Sequence, residues 1–361
     1  MIDTLVSQVH PSEETVRALR IVPRHLFLPG VELDRVYGGG AIPTRHDENG
    51  SPISSSSEVA IMALMLDALR LERGQRVLEI GAGTGYNAAI LAEIAGERGV
   101  VTIDLDPEIV AEARDHLRAA GYPAVRVAAA DGWLGWSDAA PYARIELTAA
   151  TADVSPHWVD QLEDGGLIVA PLLLRANAQA MVTLRKRGRV LESARVFPGG
   201  FMWLRGLGAP SERTYEIGPW RMTSSREIDE ERVASLLGQM PTLELVEPAT
   251  WSDLALFGIT EEQSFSLSRK GSPAYASGVI VGDGAGIAVV EWSGGVIAPR
   301  MLLISFGAPA AAHRLRQRLN EVRGKAWQGL RVTAVPSGDE APPGDVIVRR
   351  ENYTFAIGVN G

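Results

Sequence analysis

The chain has 361 residues, 46% of them hydrophobic and 22% charged, a composition that suits a globular protein and a length that suits two domains. It contains no cysteine, so disulfides, thiolate nucleophiles and cysteine-bound metals are excluded. A net charge of −9 argues against a nucleic-acid partner, and no apolar run reaches the roughly 18 residues of a membrane span.

In chain order, residues 12–20 predict a short amphipathic helix with Val16 and Leu19 on one face. The segment Val22-Pro23-Arg24-His25-Leu26-Phe27-Leu28-Pro29 follows as a rigid apolar connector. Residues 37–57 are rich in Gly, Ser, Asp and Asn and predict an extended loop, after which Glu58 to Leu71 is a strongly apolar helix. Arg76 to Ile80 reads as a buried parallel strand, followed by Gly81-Ala82-Gly83-Thr84-Gly85 and a helix opening at Asn87. The next strand, Gly99 to Ile103, ends at Asp104, and Pro107 to Ala120 is helical. A third strand, Ala124 to Ala130, ends at Asp131-Gly132. Arg144 to Thr148 and Gly166 to Pro171 are the fourth and fifth strands, and a hairpin over Met181–Val196 is expected to finish the sheet.

The character changes near Ser211, and residues 208–227 read as a linker with little structure of its own. Beyond it come a helix (Ile228 to Gln239), a hairpin around Asp283-Gly284 and a helix (Ala310 to Val322). Three strands follow, Leu330–Val335, Val346–Arg350 and Tyr353–Val359. The predicted layout is residues 1–57 as an N-terminal segment with a substrate loop, 58–207 as an α/β Rossmann-like domain with helices on both faces, and 228–361 as a smaller α+β domain. Arg314, Arg316 and Arg318 give the last helix a basic face, a candidate surface for an acidic peptide or simply a solvated one.

Strand, glycine-rich turn and helix together bring backbone N–H groups close to a ligand. The spacing here is G-x-G-x-G and not the dinucleotide G-x-G-x-x-G. Glu79, just before the turn, is badly placed beside a pyrophosphate and well placed beside an ammonium. These residues point to an amino-acid-bearing nucleoside such as S-adenosylmethionine, with Asp104 accepting the ribose hydroxyls. Glu79, Gly81, Gly83, Thr84, Gly85, Asp104, Asp131 and Gly132 are thus the candidate cofactor residues, the last two flanking the adenine. The six histidines (His10, His25, His46, His116, His157, His313) have no i, i+3 or i, i+4 pairing, so no metal site is expected.

From Val22 to about Gly206 the chain resembles the protein-L-isoaspartate (D-aspartate) O-methyltransferase family. The resemblance rests on Val22-Pro23-Arg24 to Phe27, the loop Pro52-Ile53-Ser54-Ser55-Ser56, and Val77–Ala89. It continues through Thr102–Pro107, Asp131-Gly132-Trp133-Leu134-Gly135-Trp136 and Leu147-Thr148-Ala149-Ala150. It implies a class I methyltransferase that esterifies an aspartyl or isoaspartyl carboxylate, the ester collapsing to a succinimide; with no membrane span or secretory pattern in the sequence, the cytoplasm is the expected compartment. It also implies that Ser54 sits at the methyl-transfer centre. Two departures stand out: the Gln-Pro pair that usually follows this serine is absent, and the chain continues beyond residue 225. The serine-rich loop and the extension resemble the branch associated with ribosomally synthesised, modified peptides, whose aspartate is left as an aspartimide.

A carboxylate is ionised at neutral pH, so methyl transfer to it needs no general base, and a site without histidine or cysteine is chemically adequate. Positioning and exclusion of water are the tasks left to the protein. Ser54 would orient one carboxylate oxygen, and Ser55 and Ser56 could help hold the same anion. Thr148, at the end of the fourth strand, either lines the substrate pocket or caps a helix. Trp133, Trp136 and Tyr86 read as packing before cofactor contacts, and His46 and Asp47 as a solvated turn. Three functions stay open: a peptide-modifying aspartate methyltransferase, a broad isoaspartyl repair enzyme, and a non-catalytic S-adenosylmethionine-binding partner.

Overall fold

The computed structural model describes the chain apart from residues 49, 51, 176–177, 210–212, 225, 270–274, 283, 294–299, 326 and 360–361. Helices α1 (Ile2–Val9), α2 (Glu13–Ile21) and α3 (Leu33–Val36) lead into strands β1 (Ile42–His46) and β2 (Pro52–Ser56). The expected loop over 37–57 is therefore a hairpin, with Ile42 facing Ser56 and Arg45 facing Ser54 across it. Then come α4 (Val59–Leu69), β3 (Val77–Ile80), α5 (Tyr86–Ala95), β4 (Val100–Asp104), α6 (Pro107–Ala119) and β5 (Arg126–Ala129). The first sheet continues with β6 (Tyr142–Leu147), α7 (Pro156–Gln161), β7 (Leu162–Arg175), β8 (Ala178–Arg187) and β9 (Val190–Pro198).

Strands β3, β4, β5, β6 and β7 pair in parallel, and β8 and β9 continue antiparallel. Every residue of β3 is buried, as the apolar run predicts for a strand covered on both faces. Its side chains alternate between two cores. Val77 joins the α4 and α5 core with Met65, Leu66 and Leu91, whereas Leu78 and Ile80 join Trp158 of α7 on the other face. The chain runs from β3 out to β5 and returns to β6 on the other side of β3. That reversal opens a crevice at the carboxyl ends of β3 and β4, the usual place for a ligand in an open α/β sheet.

The remaining elements are β10 (Arg213–Ile217), β11 (Trp220–Ser224), α8 (Glu230–Leu237), β12 (Thr242–Val246) and α9 (Trp251–Thr260). After them come β13 (Ser264–Arg269), β14 (Tyr275–Val281), β15 (Gly286–Ser293), β16 (Arg300–Gly307) and α10 (Ala310–Val322). The chain ends with β17 (Leu330–Pro336), β18 (Val346–Arg349) and β19 (Tyr353–Val359). Strands β10 to β16 form a second, seven-stranded sheet in the order β10-β11-β13-β14-β15-β16-β12. The predicted β14–β15 hairpin is present, with Asp283 of its turn outside the described residues.

Three boundaries differ from the sequence reading. Residues 213–224 form the β10–β11 hairpin at the edge of the second sheet, because β11 finds five partners on β13. The first sheet does not finish at Val196: β17 pairs with β9 through Thr333↔Glu192 and Ala334↔Leu191, and β19 and β18 extend it further. The two sheets also share one core, in which Leu254 and Phe257 of α9 join Leu172 and Ala180 of the first sheet and Leu303 of the second. Residues 228–361 are thus a partner of the first sheet and not a free-standing appendage.

Asp153, 8% exposed, fastens the end of the chain to this core. Its Oδ2 accepts from the Asn352 backbone N–H (2.7 Å) and side-chain amide (3.0 Å), and its Oδ1 from the backbone N–H groups of Tyr353 (3.1 Å) and Val154 (2.8 Å). Asp153→Ala leaves these buried donors without an acceptor, so it should lower the unfolding free energy in urea by about 2–4 kcal/mol. A chain cut after Arg226 loses β17 and this anchor together, and should show no cooperative transition.

Candidate active site

The glycine turn after β3 is built by positive backbone angles: φ is 107° at Gly81, 49° at Gly83 and 85° at Gly85. Each glycine serves a different contact. A Cβ on Gly81 would lie 2.4 Å from the Thr148 hydroxyl, which donates to the Gly81 carbonyl (2.8 Å) and the Ile80 carbonyl (3.2 Å). A Cβ on Gly85 would meet the Ala113 carbonyl at 3.0 Å, so Gly85 lets α5 pack on α6 and does not line the cavity. Gly83 faces the β1–β2 hairpin, its Cβ direction meeting the Ser55 carbonyl at 3.5 Å and the Ser54 hydroxyl at 4.0 Å.

The crevice is a cavity of about 920 Å³, lined by Ser54, Ser55, Ser56, Glu79, Gly81, Gly83, Thr84, Asp104, Gly132 and Thr148 among others. Its size is that of a small-molecule site. Asp104 ends β4 with Oδ2 accepting from Gly83 N–H (3.3 Å), Oδ1 accepting from Asp106 N–H (3.2 Å), and Arg205 3.7 Å away. Burial pushes its carboxyl up, opposed by these N–H groups and by Arg205. Gly132 lies against Ile80, where a Cβ would come within 2.5 Å of a side-chain methyl.

Asp131 is not in the cavity. Its Oδ1 accepts from Trp133 N–H and its Oδ2 from Leu207 N–H, both at 2.9 Å, so it caps one turn and holds the one at Gly206. Trp133 packs edge-on against Trp158 with ring centroids 5.3 Å apart, as the packing reading has it. Tyr86 is 2% exposed beside the Phe27 ring, and His46 lies on an exposed strand end away from the cavity.

The serine loop divides. Ser54 is 7% exposed and its Oγ accepts from the Thr44 hydroxyl at 3.2 Å. The Ser56 hydroxyl also lines the cavity, and its oxygen accepts from Arg24 (3.2 Å), which fixes its position. Arg24 is fully buried and also donates to the carbonyls of Val36, Gly40, Ser56 and Ser57. At the other end of the hairpin Arg45 reaches Glu108 and Glu112 of α6, both at 2.7 Å.

Sequence reasoning missed Arg24, Thr44, Asn87, Glu146 and the wall from Phe201 to Arg205. That wall is held by Ala150, whose N–H and C=O pair with Met202 and Leu204 at 2.7 Å each. For Glu146 the signal was available: an acidic residue inside an otherwise apolar strand. Glu79 and Glu146 face each other across β3 and β6, and Asn87 donates to both (2.7 and 2.8 Å), while Thr102 donates to Glu79 (2.5 Å). Burial pushes Glu79 up to about 8 and Glu146 to about 7. The buried Asn87 Oδ1 has no hydrogen-bond partner.

A glycine turn open at Gly83, a carboxylate at the end of β4, and acidic groups with an unpartnered amide oxygen suit a nucleoside carrying an ammonium. Comparison with known proteins fits this chemistry. A family model described as protein-L-isoaspartate(D-aspartate) O-methyltransferase matches residues 1–199, more than half of the chain.

The chain belongs to that family.

The isoaspartate O-methyltransferase of Dictyoglomus thermophilum is 37% identical over 188 residues, covering 52% of this chain and 81% of its own. One of Archaeoglobus fulgidus is 40% identical over 171 residues, covering 47% and 76%. A solved structure named protein-L-isoaspartate O-methyltransferase matches with a TM-score of 0.55 at 22% identity, covering 92% of this chain and 96% of that one. This last likeness concerns the fold, and at that coverage it takes in both sheets. The protein is an S-adenosylmethionine-dependent O-methyltransferase of the isoaspartate family.

Because both carboxyls titrate above their ordinary 4.5, the folded state binds more protons than the unfolded chain between about pH 4.5 and 8. Stability of the free protein should then fall as pH rises through that window. Glu146→Gln should stabilise it by roughly 2 kcal/mol at pH 8 and hardly at all at pH 4.5, read from urea unfolding at the two pH values.

Proposed function

We propose that the protein methylates an aspartyl or isoaspartyl carboxylate presented at Ser54, and that its physiological substrate is an aspartate of a ribosomally made, modified peptide whose ester closes to an aspartimide. The observation that carries the site assignment is the Ser54 hydroxyl standing 4.0 Å from the Cβ direction of Gly83 on the cofactor turn. Thr44 donates to Ser54 Oγ, which leaves the Ser54 hydrogen for a substrate oxygen. The hydroxyl then orients one oxygen of an anion that is already a nucleophile, and no proton has to be removed. S-adenosylmethionine, when bound, supplies the methyl group on a sulfonium. Gly83 and Asp104 are the residues that would hold its nucleoside, and Glu79 the one near its amino-acid end.

The peptide-specific part of this reading is supported by the loop Pro52-Ile53-Ser54-Ser55-Ser56, which lacks the Gln-Pro pair. Among the described residues, none after Arg205 lines the cavity, so any selection of substrate by the second sheet acts outside it. The basic face of α10 is largely committed. Arg314 and Arg318 pair with buried Glu261 at 2.9 and 3.2 Å, and Arg316 pairs with Glu244. Repair of isoaspartyl residues is the competing reading, favoured by the names of the relatives. Incubation with S-adenosylmethionine and matched isoaspartyl and aspartyl peptides separates the two: a repair enzyme esterifies the former, whereas the proposed enzyme esterifies neither unless the peptide is its modified substrate.

Asp104→Ala should weaken S-adenosylhomocysteine binding by about 10- to 100-fold in calorimetry, through loss of a charge-assisted acceptor. Ser54→Ala should bind that ligand within about twofold of wild type and lose roughly 100-fold in turnover, since positioning and not affinity is removed. Full turnover in Ser54→Ala would reduce the serine run to a spacer.

A further inference from the structure

The floor of the cavity holds more negative charge than nucleoside binding requires. The charged residues lining it are Glu58, Glu79, Asp104, Glu146 and Arg205, and the arginine is engaged at Asp104. Glu79 and Glu146 are register partners on parallel strands, so their side chains leave the same face of the sheet, and both are at most 1% exposed. A single amide, Asn87 of α5, donates one hydrogen to each. The groups facing the pair are Asn87 from α5 and Thr102 and Asp104 from β4. From α4 the cavity receives Ala60, Ile61, Met62, Leu64 and Met65, and β7 contributes apolar Val169 to the core behind it. No cation is supplied by these elements, and two full charges in adjoining buried positions repel each other strongly.

We propose, resting on the cofactor reading above, that Glu79 and Glu146 work as one proton-sharing pair that recognises the ligand's ammonium by exchanging a proton for it. In the free protein one proton is held between the two carboxyls. When an ammonium enters, that proton leaves to solvent and the pair, now doubly ionised, faces the new cation. At the ammonium end the charge is the same before and after, because one positive charge replaces another; the ligand's own carboxylate lies beyond this count. No bond other than the O–H is broken. The elevated titration of both carboxyls keeps the shared proton in place at neutral pH.

Recognition of the amino-acid end is then linked to pH in a way that recognition of the nucleoside is not. S-adenosylhomocysteine, which carries the ammonium, should bind more tightly by roughly tenfold between pH 6 and pH 8. Methylthioadenosine, which has the nucleoside and no amino acid, should show no such trend. Calorimetry of the full chain at pH 7 in phosphate and in Tris, buffers of unlike ionisation enthalpy, counts the protons exchanged. Between about 0.5 and 1 proton should be released per S-adenosylhomocysteine and about none per methylthioadenosine. In Glu146→Gln the release should fall to less than about half and the pH trend should flatten.

Binding of S-adenosylhomocysteine without proton release, or equal release by both ligands, overturns the pair. Should neither ligand bind, the cofactor reading itself fails and takes the pair with it. If Glu146→Gln does not fold, the two-ligand comparison on the wild type still decides.

Discussion

The guanidinium of Arg24 reaches four backbone carbonyls and one hydroxyl, on Val36, Gly40, Ser56 and Ser57, in a place with no access to water. Carbonyls outside regular structure need donors when they are buried, and arginine is the side chain with five N–H groups in a fixed fork. This one residue turns an otherwise irregular segment into a defined wall. It fixes the end of β2, β2 carries Ser54, and Ser54 stands over Gly83. The ion pairs from Arg45 to α6 hold the other strand of the hairpin near Asp104, so the loop is tied at both ends to the cavity side of the sheet. Where the reaction needs alignment more than proton transfer, such rigidity is the catalytic resource.

Charge is handled differently on the two sides of the sheet. In the cavity, acidic groups are buried beside hydrogen-bond donors and one arginine, which suits a cationic ligand and costs stability while it is absent. Between the sheets, Glu261 is buried and fully paired to Arg314 and Arg318, a closed arrangement that joins α9 to α10. The first asks for something from outside; the second is complete.

The parallel half of the fold was legible because its signals are local. Glycines at alternate positions, an apolar strand before them and an acidic residue ending the next strand all lie within one stretch of chain. They placed Gly81, Gly83 and Asp104 on one cavity, to which the family resemblance added Ser54. The failures share a cause, which is partners distant in sequence. Nothing near Val190 announces that Leu191 will pair with Ala334, and nothing on α10 announces that Arg314 and Arg318 meet Glu261. Asp131 was misplaced because an aspartate at a strand end serves a cap as readily as a ligand, and here Trp133 and Leu207 took both oxygens.

The return of β17 to β9 has a consequence for the birth of the molecule. Synthesis runs from the amino end, so the glycine turn, the serine hairpin and every cavity residue through Arg205 leave the ribosome while β9 still has one bare edge. An unpaired edge of this kind is open to pairing with other chains until its own partner arrives. The whole second sheet must be translated before Leu330–Pro336 can cover it. The time taken to translate the second sheet therefore sets how long the edge of β9 stays exposed before β17 closes it.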